Sequence, residues 1–271
     1  MGPKKIQALL ITGALILAVL LFIAPKISPP NTESNVQPLG KAAISENATL
    51  DVYLSLASKN LEPGLKQQFS RLSATHKNDS ASVFWDRLKR PDLASFYAEE
   101  LARKENSARA WFKAGNRYYY AIQFSKDKTE IPVLYQCAMR CFSKGLKLDP
   151  ADTDAKIMLA SCYVEGSADP MEGISRLREV EKTDSNNVKL QLAFAFFSVK
   201  SGQFDKAIRR FNKVLAIDSS YIEAYLHLAD AYEQLNNNAK TMEALEKYAA
   251  KTPDATERNE INKYIQQLKN K

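Results

Sequence analysis

Three cysteines and two histidines are the side chains of this sequence best suited to metal binding or nucleophilic chemistry. Cys137 and Cys141 are four residues apart, a spacing that places both on one face of a helix. Cys162 follows on the next predicted helix. A structural zinc site needs four ligands, so His76 or His227 would have to supply the fourth. Free thiols packed in a core are the simpler interpretation, and we predict no metal site and no cofactor.

Motifs of enzyme chemistry do not occur in the sequence. It contains no glycine-rich phosphate loop, no His-Glu-x-x-His pair and no nucleophile elbow. His76 falls near the end of one predicted helix and His227 inside another, where a single histidine is usually a packing or surface residue. Acids and hydroxyls lie mostly in predicted turns and caps. We therefore predict a protein that binds rather than one that catalyses a reaction.

The elements that position these residues repeat along the chain. Over residues 188–253 the period is 34, so that Ala195 recurs as Ala229 and Phe211 as Leu245. Such a period is typical of helix-turn-helix solenoids, in which one unit cannot bury its apolar face and the core forms when units stack. The sequence therefore predicts an all-α solenoid of antiparallel helix pairs.

The repeated positions resemble the tetratricopeptide repeat (TPR) family, whose first helix carries an aromatic, a small residue and Tyr, and whose second carries Ala, Phe and a terminal Pro. The first copy has Trp111, Ala114-Gly115, Tyr118, Ala138, Phe142 and Pro150. The second copy is weaker, with Lys156 in the aromatic column and Gly173 in the Ala column of the second helix. The later copies have Phe194-Ala195, Gly202, Ala207 and Phe211, then Tyr225, Leu228-Ala229, Tyr232, Leu245 and Pro253. The resemblance implies four TPR units over residues 108–253.

The first copy is longer than its unit allows. Between Tyr118 and Ala138 it carries about eleven residues more than a 34-residue unit. We expect a longer first helix and an exposed hairpin loop that includes residues 125–130 and Pro132. A loop of this kind is either a functional element or a tolerated surface insertion.

Residues 45–106 precede the four units and also carry apolar side chains at helical spacing. Pro91 fits the first turn of a helix in this region. The stretch Ala94, Ala98 and Ala102 resembles the second helix of a degenerate TPR. We therefore predict degenerate TPR-like hairpins that extend the solenoid.

Residues 254–271 follow the last unit. Ile261, Ile265 and Leu268 share one side of this predicted helix, and Asn, Gln and Lys occupy the other sides. A solenoid needs a polar-backed element over its last core face. We predict that residues 254–271 form this capping helix.

Residues 6–24 contain no charge and follow Lys4 and Lys5. Nineteen helical residues span about 28 Å, close to the ~30 Å of a bilayer hydrocarbon core, so we predict an uncleaved transmembrane anchor. A cleavable signal peptide is the alternative, although its apolar region is normally shorter, about 7–15 residues. Residues 1–5 would form a short cytoplasmic end, and residues 25–44, rich in Pro, Ser and Asn, an extended stalk.

The charges beside the predicted anchor indicate its orientation. Lys4 and Lys5 precede the span and only Lys26 follows closely, which favours repeats on the non-cytoplasmic side. In a bacterium this means an inner-membrane protein with its repeats in the periplasm, the location we predict. In a eukaryote the repeats would lie in a lumen, where Asn47 and Asn78 would be potential glycosylation sites.

The formal net charge of +7 does not indicate nucleic-acid binding. Lys4, Lys5 and Lys26 contribute three of these charges and no acid precedes Glu33, so the rest of the chain carries +4. Lys and Arg are scattered, without a basic stripe interleaved with aromatic residues. We predict no nucleic-acid partner.

In TPR domains the first helix of each unit lines a concave surface that binds extended or helical peptides, and the resemblance implies the same here. The implied groove residues are Arg109, Phe112, Asn116, Tyr119, Tyr120, Ile157, Ser161, Lys189, Leu192, Phe196, Lys200, Leu226 and Asp230. This mixture suits a peptide whose apolar side chains fill patches while charges fix its register. The alternative is that Phe112, Tyr119 and Phe196 pack against each other or against neighbouring helices.

The leading hypothesis is a membrane-tethered scaffold that binds a peptide segment or partner protein, resembling single-pass bacterial TPR proteins. An alternative is an envelope assembly chaperone similar to TPR subunits of cytochrome c maturation machinery. A scaffold should copurify with a folded complex, whereas a chaperone should bind unfolded segments and release folded ones. Self-association into a homo-oligomer through the capping helix or the first repeat is a further alternative.

Overall fold

The computed structural model describes residues 57–59, 61–74, 78–125, 128 and 131–270, and the regular structure in these residues is entirely α-helical. The helices are α1 (Pro63–Ala74), α2 (Asn78–Arg87), α3 (Pro91–Glu105), α4 (Ala108–Phe124), α5 (Ile131–Leu148), α6 (Thr153–Gly166), α7 (Pro170–Thr183), α8 (Val188–Lys200), α9 (Phe204–Ile217), α10 (Glu223–Gln234), α11 (Asn238–Lys251) and α12 (Ala255–Lys269). The predicted all-α fold is confirmed.

The predictions for the start of the chain lie outside these residues. They are the short end (1–5), the anchor (6–24) and the stalk (25–44). In the part of the chain that the structure describes, no helix is long and apolar enough to cross a membrane.

The chain divides into two compact units, with the boundary inside α7 between Val180 and Glu181. In the first unit, neighbouring helices pack against each other in sequence order from α1 to α6. In the second, α8 to α12 do the same. Packing between sequence neighbours is the arrangement expected of a repeat solenoid.

Small residues bring α4 and α5 together in the first unit. Ala114 and Ala138 are completely buried, and both belong to the core that contains Tyr118 and Phe142. Gly115 lies so close to the Phe142 ring that an added Cβ would be 2.8 Å from it. Close approach of the two backbones therefore depends on these short side chains.

The extra residues of the first copy lengthen both of its helices. α4 has 17 residues and α5 has 18, compared with 14 in each of α6 and α7. Only residues 125–130 separate α4 from α5. Pro132, expected in a loop, lies in the first turn of α5, where its missing N–H would have no intrahelical partner in any case.

Gly173 is the apparent defect of the second copy, and its position requires a glycine. A Cβ at Gly173 on α7 would lie 2.5 Å from the carbonyl oxygen of Ala160 and 2.6 Å from Cγ2 of Val164, both on α6. α7 therefore approaches α6 too closely for the usual Ala. The departure from the family pattern reflects tighter packing of this helix pair.

In the second unit, α12 covers the end of the helix stack. It buries Ile261, Tyr264, Ile265 and Leu268 in the core that α8 to α11 supply. Its exposed side carries Asn, Gln, Glu and Lys residues. Asp254 accepts hydrogen bonds from the backbone N–H groups of Thr256 (2.8 Å) and Glu257 (3.2 Å) and so caps its start.

Candidate functional site

The predicted surface residues of α4 divide into exposed polar and half-buried aromatic side chains. Arg109 and Asn116 are exposed. Phe112 is half-buried and lies against Gly145 of α5 so closely that a Cβ on that glycine would overlap the ring. α4 therefore offers its polar groups to solvent and uses Phe112 for packing.

Tyr119 joins α4 to α5 and α6 through one carboxylate. Its hydroxyl donates a hydrogen bond to Oε2 of Glu165 on α6 (2.7 Å), and the hydroxyl of Tyr135 on α5 donates to the same oxygen (3.3 Å). The two tyrosine rings meet edge to face, with centroids 6.3 Å apart. Burial, and then the charge of Glu165, raise the pKa of Tyr119 well above its usual value, so the hydroxyl remains a donor.

Tyr120 and Phe124 form an aromatic surface at the C-terminal end of α4. Their ring centroids are 4.5 Å apart, and Phe124 is 46% exposed. Arg117, also on α4, forms an ion pair with Asp86 of α2 (2.5 Å). Burial, and then the charge of Asp86, raise the pKa of Tyr120. Tyr120 and Phe124 therefore combine exposed apolar surface with nearby charges. The family resemblance predicted Tyr120 as a groove residue but not Phe124.

Three of the predicted groove residues are buried. Ile157 and Ser161 on α6, and Leu192 on α8, lie in the interior and line no open surface. Between their first and last turns, α6 and α8 carry mainly apolar side chains around the whole helix, a composition typical of helices enclosed by neighbours. A family column fixes the angle of a residue around its helix but not how closely the neighbouring helices cover it.

In the second unit, α8 carries Lys189 and Lys200 exposed in its first and last turns. Phe196, between them, is half-buried and packs in the core. Its ring centroid is 5.5 Å from that of Phe211 and 4.9 Å from that of His227. The ring contacts of Phe196 are therefore those of a packing residue.

His227 is a core residue of α10. Its imidazole stacks on Phe211, with ring centroids 5.0 Å apart, and meets Phe196 edge to face. Its buried Nε2 atom has no hydrogen-bond partner among the described residues. Burial lowers the pKa of His227 to about 4, so the ring is neutral at physiological pH. This is the setting of a packing residue.

Leu226 and Asp230 are one helical turn apart on α10, and both are half-buried. Burial, and then the charge of Glu233, raise the pKa of Asp230 to about 7. Glu233 accepts a hydrogen bond from the hydroxyl of Tyr264 on α12 (2.7 Å). Within the described chain no hydrogen-bond donor reaches the Asp230 carboxylate and no cation offsets its charge.

A buried carboxylate that the sequence reasoning missed joins α3, α4 and α5. Glu99 accepts a hydrogen bond from Tyr118 (2.8 Å) and forms ion pairs with Arg140 (2.7 Å) and Arg103 (2.9 Å). Burial would raise the pKa of Glu99, but the hydrogen bond and charge of Arg140, with Tyr118 and Arg103, bring it below its usual value. The sequence feature that could have identified Glu99 is an acidic residue among apolar residues of a predicted helix.

A second missed network lies at the start of α8. Gln191 is fully buried, donates to the carbonyl oxygen of Ser185 (2.8 Å) and accepts from Arg210 of α9 (2.7 Å). Arg210 also pairs with Glu181 and lies over the Phe194 ring, 4.3 Å from its centroid. These contacts fix helix positions and present no open ligand site.

The three thiols also belong to the core. Cys137, Cys141 and Cys162 are buried and free. Burial raises the pKa of each, which keeps the thiols protonated. The described residues contain no group of three or more His, Cys, Asp or Glu side chains placed to hold a metal ion.

Comparison with known proteins supports the repeat assignment. Residues 198–259 match the family model described as Tetratricopeptide repeat. PilW, described as a widely conserved type IV pilus biogenesis factor, is 14% identical with a TM-score of 0.50, over 72% of this chain and 90% of its own. YrrB, a TPR protein with an unusual peptide-binding site, is 20% identical with a TM-score of 0.43, over 79% of this chain and 100% of its own.

A third solved structure is TTC0263, a thermophilic TPR protein of Thermus thermophilus. It is 16% identical with a TM-score of 0.46, over 71% of this chain and 97% of its own. Among curated proteins, none matches the sequence. At these identities the likeness of PilW concerns the fold alone.

Proposed function

We propose that this chain, of which residues 198–259 match the tetratricopeptide repeat family, is a scaffold that binds segments of partner proteins on the groove surface formed by the first helices of its units. In the second unit these helices are α8 and α10, and in the first they include α4. A solenoid suits this role because contacts between neighbouring elements build its core, which leaves the groove surface free to bind.

The observation that carries the proposal is the recurrence of exposed apolar side chains at the ends of three first helices, α4, α8 and α10, although Leu148 and Met171 on the second helices α5 and α7 are exposed as well. Phe124 ends α4 and is 46% exposed, Val199 lies in the last turn of α8 and is 37% exposed, and Leu235 directly follows α10 and is 40% exposed. Single exposed apolar residues are ordinary. Their return at the same end of a repeating element, beside charged residues such as Lys200, favours a binding role.

Site-specific photocrosslinking in intact cells tests the scaffold proposal. A photoreactive residue at Val199, and separately at Leu235, should give discrete adducts with a partner protein. The same residue at Arg209, exposed on the second helix α9, should not. Equal adducts at all three positions, or adducts at none of them, would contradict the proposal. Circular dichroism of each variant separates a failure to fold from a failure to bind.

The state of the crosslinked partner distinguishes a scaffold from a chaperone. A scaffold should retain its partner as a folded complex through purification. An assembly chaperone should instead bind the partner before it folds and release it afterwards. A pulse-chase version of the same crosslinking measures which of the two occurs.

We also propose that residues 6–24 anchor the chain in a bacterial inner membrane, with the repeats in the periplasm. Support comes from the uncharged length of this segment and from Lys4 and Lys5 before it. Protease added to spheroplasts should remove the repeats, and carbonate should leave the chain in the membrane. Cleavage only after the cytoplasm is opened would reverse the orientation, and carbonate release would exclude the anchor.

A further inference from the structure

We propose that the partner segment of the second unit presents a basic side chain, Arg or Lys, to Asp230 and an apolar side chain to the surface beside Leu226. The inference rests on the proposed function and specifies the chemistry of the partner. Asp230 and Leu226 lie one turn apart on α10, so one short segment can reach both.

The surroundings of Asp230 would stabilise a cation supplied by a partner. The side chain is half-buried, and among the described residues nothing donates a hydrogen bond to it or offsets its charge. Burying an uncompensated carboxylate costs free energy because it loses solvation. The charge of Glu233, three residues later, adds repulsion, and the pKa of about 7 reflects both effects. A basic side chain from a partner would offset both effects through its charge and its hydrogen bonds.

The neighbouring side chains do not supply this cation. Glu233 is a second carboxylate, and its Oε1 atom already accepts the hydroxyl proton of Tyr264. Neither Lys189 nor Lys200 on α8 is among the groups that affect the pKa of Asp230, which are burial and Glu233. An incoming guanidinium or ammonium group would therefore meet one carboxylate beside half-buried apolar side chains.

A peptide side chain fits this position better than a metal ion. The described residues place no third metal-ligating group with Asp230 and Glu233, and one or two carboxylates alone bind a divalent cation weakly. A guanidinium can instead form two parallel hydrogen bonds to a single carboxylate. Its alkyl chain can lie along the apolar surface of Leu226.

The spacing on α10 limits the partner sequence. Four residues of helix rise about 6 Å. In an extended segment, residues two apart lie on the same side and are separated by roughly 6.6 Å. An extended partner therefore needs its apolar and basic residues two positions apart, in either order.

The inference is tested by selecting random 12-residue peptides from a phage-display library on the full 271-residue chain, as wild type and as Asp230→Lys. Wild type should enrich Arg or Lys two positions from a large apolar residue. Asp230→Lys should enrich Asp or Glu there instead. In a synthetic peptide from the wild-type selection, replacing the basic residue by Gln should weaken binding about tenfold or more, the loss expected for one charge-assisted hydrogen-bonded pair.

Glu260→Lys is the matched control, since it makes the same change of charge at an exposed position of α12 and should leave the selection unaltered. Selected peptides without a basic preference, or with the same preference in wild type and Asp230→Lys, would overturn the inference and leave the proposed function standing. A selection that yields no peptide on any of the chains would overturn both. If Asp230→Lys does not fold, Asp230→Asn should abolish the basic preference.

Discussion

His227 and Asp230 lie three residues apart on α10, and burial favours the neutral form of both side chains. It lowers the pKa of His227 to about 4, and with the charge of Glu233 it raises that of Asp230 to about 7. In the unfolded chain both return to ordinary values. The two residues therefore give opposite pH dependences of stability between about pH 4 and pH 7.

Replacing His227 with Leu should remove one of these dependences. As pH falls below the ordinary pKa of histidine, His227 becomes protonated in the unfolded chain. In the folded chain it stays neutral until about pH 4. The free energy of unfolding of the wild type should lose up to about 3 kcal/mol over this range from His227 alone. Urea denaturation should show that, between pH 7.5 and pH 4.5, the free energy of unfolding of His227→Leu declines less than that of the wild type, or rises. An unchanged slope would contradict burial of a neutral imidazole.

Replacing Asp230 with Asn should stabilise the folded chain at neutral pH. The raised pKa means that the unfolded chain releases this proton from about pH 4 upwards, while the folded chain holds it until about pH 7. The free energy of unfolding therefore falls as pH rises through this window and stays low above it. We expect a gain of about 1–3 kcal/mol at pH 7.5 and almost none at pH 3.5.

The control for this prediction is Glu260→Gln, which removes a negative charge at an exposed position of α12. Its free energy of unfolding should change little at either pH. If the two variants gained equally, general charge reduction and not the setting of Asp230 would be the cause. A stabilised Asp230→Asn that also loses peptide binding would show that stability is sacrificed for recognition.

At the scale of residues, sequence reasoning located the helix faces better than their accessibility. Asp230 and Tyr120 belong to the predicted set and lie at least partly at the surface, whereas Leu192 is buried. Family columns specify an angle around a helix, but accessibility depends on how closely neighbouring helices approach. The isolation of the Asp230 carboxylate depends on tertiary distances that no sequence spacing encodes.

At the scale of elements, Gly173→Ala measures how tightly α6 and α7 are packed. The new methyl group would lie 2.5 Å from the Ala160 carbonyl oxygen, so the helices would have to separate. We expect a loss of about 1–3 kcal/mol in the free energy of unfolding, the usual cost of overpacking, despite the better helix propensity of Ala. Thermal and urea denaturation measure it.

Gly64→Ala is the matched control on α1, because apart from the chain next to Gly64 no atom of the described residues lies within 4 Å of the added Cβ. This variant should be neutral or gain up to about 1 kcal/mol from the propensity of Ala. If Gly173→Ala proved as stable as Gly64→Ala, the glycine in the Ala column would be a tolerated substitution and not a packing requirement.

Tyr118→Phe tests the polar network that joins α3, α4 and α5. It removes the hydroxyl that donates to the buried Glu99 and leaves the ring in place. We expect a loss of about 1–2 kcal/mol in the free energy of unfolding, since a buried acceptor loses one partner. Tyr120→Phe on the same helix, whose hydroxyl has no hydrogen bond to a described residue, should cost much less. Equal losses would mean that the hydrogen bond from Tyr118 to Glu99 adds nothing beyond the loss of a hydroxyl group.

The insertion in the first copy shows why element boundaries were harder to predict than elements. Residues 125–130 lie between α4 and α5 as expected, but Pro132, expected in the same loop, lies in the first turn of α5. Apolar contacts along the lengthened pair, including those of Ile131 and Val133 with the core, hold both helices together.

At the scale of the whole chain, the 34-residue period was the strongest predictor because it reports stacking directly. A sequence that places Ala195 and Ala229 at the same point of successive pairs must bury both, and both are buried. The same period says nothing about ligands, since it records only the contacts that all units share. Function must therefore be sought where the units differ, as at Asp230 and at the lengthened α4.

Removal of α12 tests whether the second unit has the nearest-neighbour energetics of a solenoid. Burial of Ile261, Ile265 and Leu268 contributes about 1.5–3 kcal/mol for each side chain, offset in part by the entropy of ordering the helix. A chain ending at residue 253 should lose amide-exchange protection most in α11, which α12 contacts, and progressively less towards α8. Gln266→Ala and Gln267→Ala, exposed on α12, serve as controls that keep the cap. Uniform loss of protection from α8 to α11 would instead mean that the second unit unfolds as one cooperative block, in which a partner bound at α10 would stabilise every helix equally.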